Sequence, residues 1–195
     1  IFGKAGTEML RRLELPSHAR RILDDLLDYI EYLNDQIEHL RSYLNHHLGP
    51  DPRVSWLSSL PGVGKLTAYY LIGEIGDIAR FFSAKKLVSY SGLCPTNRGS
   101  AGKMRHGPPR GGRKLLRWAL IEAAHTAVRK DPYFAAVFHR LERRKCKQVA
   151  YVAVARKMAQ IIWHMLTEQR MYQPRKKQSQ VGSSSAMAAH QRARR

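Results

Sequence analysis

From Leu23 the apolar positions advance in alternating steps of three and four: Leu23, Leu26, Ile30, Leu33, Ile37, Leu40 and Leu44. That spacing is the seam of a coiled coil. Asp24, Asp25, Asp28, Glu31, Asp35 and Glu38 fill the positions between. The pattern predicts a helix for residues 1–48, serving either dimerisation or packing against its own domain. Gly49-Pro50-Asp51-Pro52 ends it, because proline lacks the N–H a helix needs and restricts the residue before it.

The segment 55–77, SWLSSLPGVGKLTAYYLIGEIGD, reads as a helix from Trp56 to Leu60, a turn at Pro61-Gly62-Val63-Gly64, and a second helix bearing Leu66, Ala68, Tyr69, Leu71, Ile72 and Ile75. This is the pattern of a helix-hairpin-helix motif, with small Ala68 where the helices touch. Glycines in such a turn can present N–H groups at a helix start to a phosphate. Gly62, Gly64, Lys65 and Thr67 are the candidate contacts here. A Walker A loop is excluded: Ser59 stands where its first glycine belongs, Leu66 separates Lys65 from Thr67, and a helix precedes the turn.

Further helices are expected within Phe81–Tyr90, with Ser83 as N-cap, at Leu115–Val128, and as one or two helices over Tyr133–Met165. Asp131-Pro132 separates the last two segments. Phe134, Val137, Phe138 and Leu141 form one apolar set, and Val149, Val152, Ala153, Met158, Ile161, Ile162 and Met165 another. The expected fold is all-α: a coiled-coil helix, then a helical domain over 53–172. The aperiodic Lys-, Arg-, Ser- and Gln-rich residues 173–195 read as a disordered basic tail.

One stretch, SGLCPTNRGSAGKMRHG from Ser91 to Gly107, is too rich in glycine and proline for a helix and too irregular for a strand, so it reads as a loop within 91–114. Between Arg80 and Lys130 the one acid is Glu122, against twelve cations that include Arg98, Lys103, Arg105, Arg110, Arg113, Lys114 and Arg117. At their centre is one small hydroxyl, Ser100.

Composition gives this asymmetry a partner. Thirty-four Lys and Arg face fifteen Asp and Glu, a net charge of +19 with a pI near 10.4, which favours a polyanion over a neutral ligand. Cys94 and Cys146 cannot make a disulfide framework, and neither has metal-ligand spacing. No metal site is expected in this chain. No apolar run approaches the roughly 20 residues of a membrane span, and no signal peptide is visible, so the cytoplasm is the expected setting, in association with the nucleoid. The chain opens on Ile1 and is expected to be a fragment of something longer.

A serine hydroxyl is a weak nucleophile, but attack on a phosphodiester is eased when cations meet the charge growing on the nonbridging oxygens. Arg98, Lys103 and Arg105 are near enough in sequence to converge there, and His106 is the one nearby proton acceptor. By spacing alone, a serine in a Gly-rich loop such as Ser100 reads first as a turn residue.

The motifs Leu-Pro-Gly-x-Gly-x-x-Thr-Ala from Leu60, Gly-Leu-x-Pro from Gly92, and Ser-x-Gly-Lys-x-Arg-x-Gly from Ser100 resemble the C-terminal domain of insertion-sequence transposases of the "IS one-ten" group, described as bridge-RNA-guided recombinases. The likeness is strong over residues 57–128. It implies that Ser100 is a nucleophile joined transiently to DNA, with Arg98, Lys103 and Arg105 assisting. It also implies DNA (element ends and target) and a guide RNA, while the coiled-coil spacing is the ground for expecting homo-oligomers. Many members carry Gly directly after the serine, where this chain has Ala101 followed by Gly102. Members also begin with a RuvC-like nuclease domain that binds a divalent metal. Nothing in this sequence resembles it, so the chain is expected to need no cofactor itself and to be inactive alone. Two rival readings stand beside this one: a non-catalytic helix-hairpin-helix DNA-binding module, and a coiled-coil assembly subunit with incidental charge.

Overall fold

The computed structural model describes residues 3–100, 103–107 and 111–174. They form two compact units that divide between Asp51 and Pro52.

The first unit contains two helices where one was expected, α1 (Lys4–Arg12) and α2 (Ser17–Leu48). The reason is Pro16, which stands at the N-cap of α2 and biases the residue before it away from helical geometry. Arg20 closes the corner by donating to the carbonyls of Leu10, Arg11 and Leu13 at 3.2, 3.1 and 3.1 Å. Arg11 reaches from α1 to Asp28 (3.2 Å) and Glu31 (2.9 Å) on α2. Along α2 the seam positions Leu26, Leu33, Ile37 and Leu40 remain 54%, 41%, 45% and 58% exposed.

The second unit is helical, as expected: α3 (Pro52–Ser58), α4 (Lys65–Ile75), a 3-10 turn at Ile78–Arg80, α5 (Ala84–Tyr90), α6 (Lys114–Lys130), α7 (Pro132–Glu142) and α8 (Lys147–Thr167). Its core is the face of α8 carrying Ala150, Val154, Met158, Ile162 and Met165, each nearly inaccessible to solvent. Against it pack Leu116, Leu120 and the alanines Ala123, Ala124 and Ala127 of α6, with Phe134 and Phe138 of α7 and Leu87 and Val88 of α5. The alanine face of α6 lets neighbouring backbone approach closely. Asp131 separates α6 from α7 and caps α7, accepting from the Tyr133 N–H at 2.7 Å and from the Tyr172 hydroxyl at 2.8 Å. The Tyr172 N–H donates to Ser59 Oγ at 2.8 Å, fastening the chain beyond α8 to the end of α3. Ser83 holds the N-cap position of α5, but its hydroxyl makes no capping bond. The tail expected from 173 onward falls mostly on residues 175–195, outside those described.

Among the described residues, strand occurs beside the serine. The stretch expected to be a loop contains two antiparallel strands, β1 (Thr96–Ser100) and β2 (Lys103–Gly107). Alternation of apolar and polar residues normally signals a strand, and here almost every position is polar or glycine. The ladder rests on backbone pairing with little apolar pattern to announce it.

The serine hairpin, its base and the α4 turn

At the α3–α4 turn the two glycines behave differently. Gly62 has φ +92°, and a Cβ placed on it would run into the Ala123 carbonyl oxygen and lie 3.0 Å from the Ala127 nitrogen, both on α6. Its absent side chain therefore serves packing. The following N–H, of Val63, already donates to the Leu60 carbonyl at 3.0 Å. Gly64 has open space around it and stands at the N-cap of α4, where no side chain caps the helix. Gly64 and Lys65 are exposed and Thr67 is half-buried. Ala68, expected at the helix contact, is fully buried. Of the candidate phosphate contacts in this turn, Gly64 and Lys65 present an accessible helix start, and Gly62 is committed to α6.

The hairpin stands on a glycine clasp. Gly92, Gly111 and Gly112 all have positive φ (65°, 74° and 71°), the region glycine enters without a steric penalty. A Cβ on Gly112 would fall 2.6 Å from Gly92 Cα and 2.7 Å from the Tyr90 carbonyl oxygen; one on Gly92 would meet the Gly111 carbonyl. The chain leaving α5 and the chain entering α6 thus touch backbone to backbone. The Arg113 N–H donates to the Tyr90 carbonyl at 2.9 Å and seals the junction.

Two arginines predicted to bind nucleic acid brace this clasp. Arg113 donates to both oxygens of Glu74 on α4, Nε to Oε2 at 2.9 Å and Nη2 to Oε1 at 3.1 Å. Arg117 Nη1 donates to the Gly92 carbonyl at 3.3 Å. Lys114, at the start of α6, is exposed, and Arg110 lies outside the described residues. The Tyr70 hydroxyl is buried beside Glu74, and burial followed by the Glu74 charge pushes its pKa up. Arg80 lies over the Tyr90 and Phe81 rings at 4.7 and 4.8 Å.

The Glu74 carboxyl is held below the usual carboxylate range, chiefly by hydrogen bonds from Arg113, with desolvation acting the other way. A carboxylate with a lowered folded-state pKa stabilises the fold above its unfolded value, and that contribution fades as pH falls through the folded value. Glu74→Gln is accordingly expected to melt below the parent at neutral pH. The gap should begin to narrow near pH 4.3, the unfolded carboxyl's value, and close once the pH has fallen through the lower folded-state value, where the folded carboxyl is protonated too. Thermal unfolding across a pH series checks it; a gap constant down to acid pH would mean the ion pair contributes nothing.

In the ladder, Arg98 pairs with Arg105, Gly99 with Met104, and Ser100 with Lys103. Paired strand positions share a side and successive positions alternate. Positions 98, 100, 103 and 105 therefore fall on one side of the ladder, and 97, 99, 104 and 106 on the other. The four residues singled out for serine chemistry occupy a common side in the backbone register. His106, the candidate proton acceptor, occupies the opposite one. Sequence reasoning missed Glu74, Gly92 and Gly112. The doubled glycine at 111–112 was a signal for the clasp, but nothing in sequence links Glu74 to Arg113, 39 residues away.

Among the described residues no group of three or more His, Cys, Asp or Glu is placed to hold a metal ion, and no helix is long and apolar enough to cross a membrane.

Comparison with known proteins gives this geometry a context. Residues 54–139 match the model of the transposase IS116/IS110/IS902 family. A pilin gene-inverting protein of Moraxella bovis is 32% identical over 179 residues, covering 86% of this chain and 54% of that protein. The transposase for insertion sequence element IS1328 of Yersinia enterocolitica is 31% identical over 161 residues (80% and 48%), and that for IS1111A of Coxiella burnetii 31% over 171 residues (81% and 45%). The chain spans about half the length of the curated relatives it matches. The domain built around the α3–α4 turn and the serine hairpin is thus a transposase domain of the IS116/IS110/IS902 family.

Proposed function

We propose that this chain is the DNA-processing C-terminal part of a transposase, in which Ser100 attacks a DNA phosphodiester. The observation that carries this reading is the register, which gives positions 98, 100, 103 and 105 one side of a hairpin anchored at its base. In the step, the serine oxygen forms a bond to phosphorus and one ester P–O bond breaks. The serine proton passes to a base, and the departing sugar oxygen takes up a proton. Phosphodiester replaces phosphodiester, so the bond energy is conserved and the link can be reversed onto a second strand. Arg98, Lys103 and Arg105 neutralise charge that grows on the nonbridging oxygens. With position 106 on the other side of the ladder, the proton acceptor is better sought in the substrate or in another part of the full-length protein. Mass spectrometry of nuclease-trimmed reaction products tests the assignment: the peptide holding Ser100 should carry a nucleotide remnant, and a remnant on any other residue overturns it.

The partners follow from the same reading: DNA at element ends and target, a guide RNA, and further copies of the chain. A divalent metal would belong to the RuvC-like nuclease domain that the family resemblance implies, and no step above runs through it. On this reading the chain alone binds DNA without recombining it. The accessible start of α4 at Gly64 and Lys65 also favours a second role, sequence-independent grip on phosphates in the helix-hairpin-helix manner.

The exposed seam of α2 fits self-association through a coiled coil. Leu33→Asp with Ile37→Asp is expected to weaken it by about 100-fold or more, since each seam side chain is worth about 1.5–3 kcal/mol when buried. Sedimentation velocity should then show a shift toward the single chain. An unchanged distribution would place the seam outside any interface.

A further inference from the structure

The corner between α7 and α8 holds a feature that the serine chemistry does not use. His139, Arg140, Arg143 and Arg144, with Ala136, line a cavity of about 300 Å³. Across 139–147 five cations (Arg140, Arg143, Arg144, Lys145 and Lys147) face the single acid Glu142. Glu142 is already engaged, by His139 Nδ1 at 3.2 Å and Lys147 Nζ at 3.8 Å. The three cavity arginines have no ion-pair partner among the described residues, and all three are exposed.

Helix dipoles account for only part of this. Cations suit the C-terminal end of α7, which explains Arg140 and Arg143. Lys145 and Lys147, however, sit at the N-terminal end of α8, where a dipole favours anions, and the first turn of α8 carries no acid. Like charges gathered against the local dipole, around a cleft with no acid in its lining, are stabilised by an anion from outside. Guanidinium forks match phosphate oxygens in pairs, which three lysines would not.

We propose that the α7–α8 corner is a second nucleic-acid grip, separate from the hairpin, in which Arg140, Arg143 and Arg144 hold the phosphate backbone of duplex DNA. It is independent of the serine assignment: it can fail with Ser100 remaining the nucleophile, and it can hold if Ser100 is a turn residue.

The test is fluorescence anisotropy of the 195-residue chain with a labelled DNA duplex and a matched RNA duplex over a salt series. The triple change Arg140→Gln, Arg143→Gln, Arg144→Gln is expected to weaken DNA binding about tenfold at moderate salt. It should also flatten the slope of log affinity against log salt by about 2–3, near 0.9 for each phosphate no longer neutralised. A control with the same charge change, Arg129→Gln, Lys130→Gln, Lys157→Gln, lies about 15 Å away along the helices and should flatten it by less than 1. Glu142→Gln removes the corner's single acid and should tighten DNA binding. It supplies a gain that misfolding could not mimic. A cleft variant no different from the control, or a Glu142→Gln chain that binds no tighter, overturns the proposal. A loss confined to the RNA duplex overturns the DNA assignment and gives the cleft to RNA.

Discussion

Full-length protein carrying Ser100→Ala is expected to form no protein–DNA adduct on a denaturing gel and to lose strand exchange by about 10⁴-fold or more, the usual scale for removing a nucleophile. DNA affinity should stay within about twofold, because a neutral hydroxyl contributes little to phosphate binding beside so many cations. Lys103→Gln and Arg105→Gln should act differently, each slowing adduct formation by about 10²–10³ while leaving it detectable, as the loss of one transition-state donor does. The separation matters: a nucleophile is all or nothing, whereas charge stabilisation is graded. Adduct persisting in Ser100→Ala would move the chemistry to another residue. Strand cleavage without adduct in either protein would make this chain a binding module.

The second large effect concerns two glycines in one turn. Gly62→Ala is expected to destabilise the second unit by about 3–5 kcal/mol, lowering the melting midpoint by roughly 10–20 °C. The added methyl meets the Ala123 carbonyl of α6 at a positive φ, and neither backbone can yield without parting α6 from the turn. Gly64→Asp should do the reverse. Its φ of −90° suits any residue, there is room for the side chain, and a carboxylate would cap α4 for a gain of about 0.5–1 kcal/mol. If that helix start holds a phosphate, the same carboxylate repels it, so DNA binding should fall by about tenfold as the melting point rises. Melting curves and anisotropy on the two variants read both quantities. A stabilised Gly64→Asp with unchanged affinity would remove the turn from the DNA interface.

The framework was readable wherever side-chain period or a strong breaker carried the information. The helix of Leu116, Leu120 and Ala123, the cap at Asp131-Pro132 and the small Ala68 where α3 meets α4 all announced themselves locally. Pro16 was equally local, and its break separates α1 from α2 within residues expected to form one helix. What stayed hidden depended on pairing at a distance. Strands β1 and β2 have no alternating pattern, so only the fold shows that Ser100 pairs with Lys103. Glu74 read as one more polar residue on α4 until Arg113 reached it. Arg113 and Arg117 were visible as cations, but a charge count cannot separate a guanidinium that faces a ligand from one that braces its own backbone.

The close approach of backbone at Gly92 and Gly112 has a consequence for how such proteins can diversify. The chain departs from the helical framework and returns to it at one point, so the nineteen residues between Gly92 and Gly112 are an exchangeable cassette. Lengthening a closed loop costs little entropy, about 0.6 kcal/mol per doubling. Insertions of one residue in each strand would turn the tip to the opposite side of the ladder, and insertions of two would restore it. Reach toward a substrate can therefore change in steps of two residue pairs, while the core beneath the cassette is left as it was.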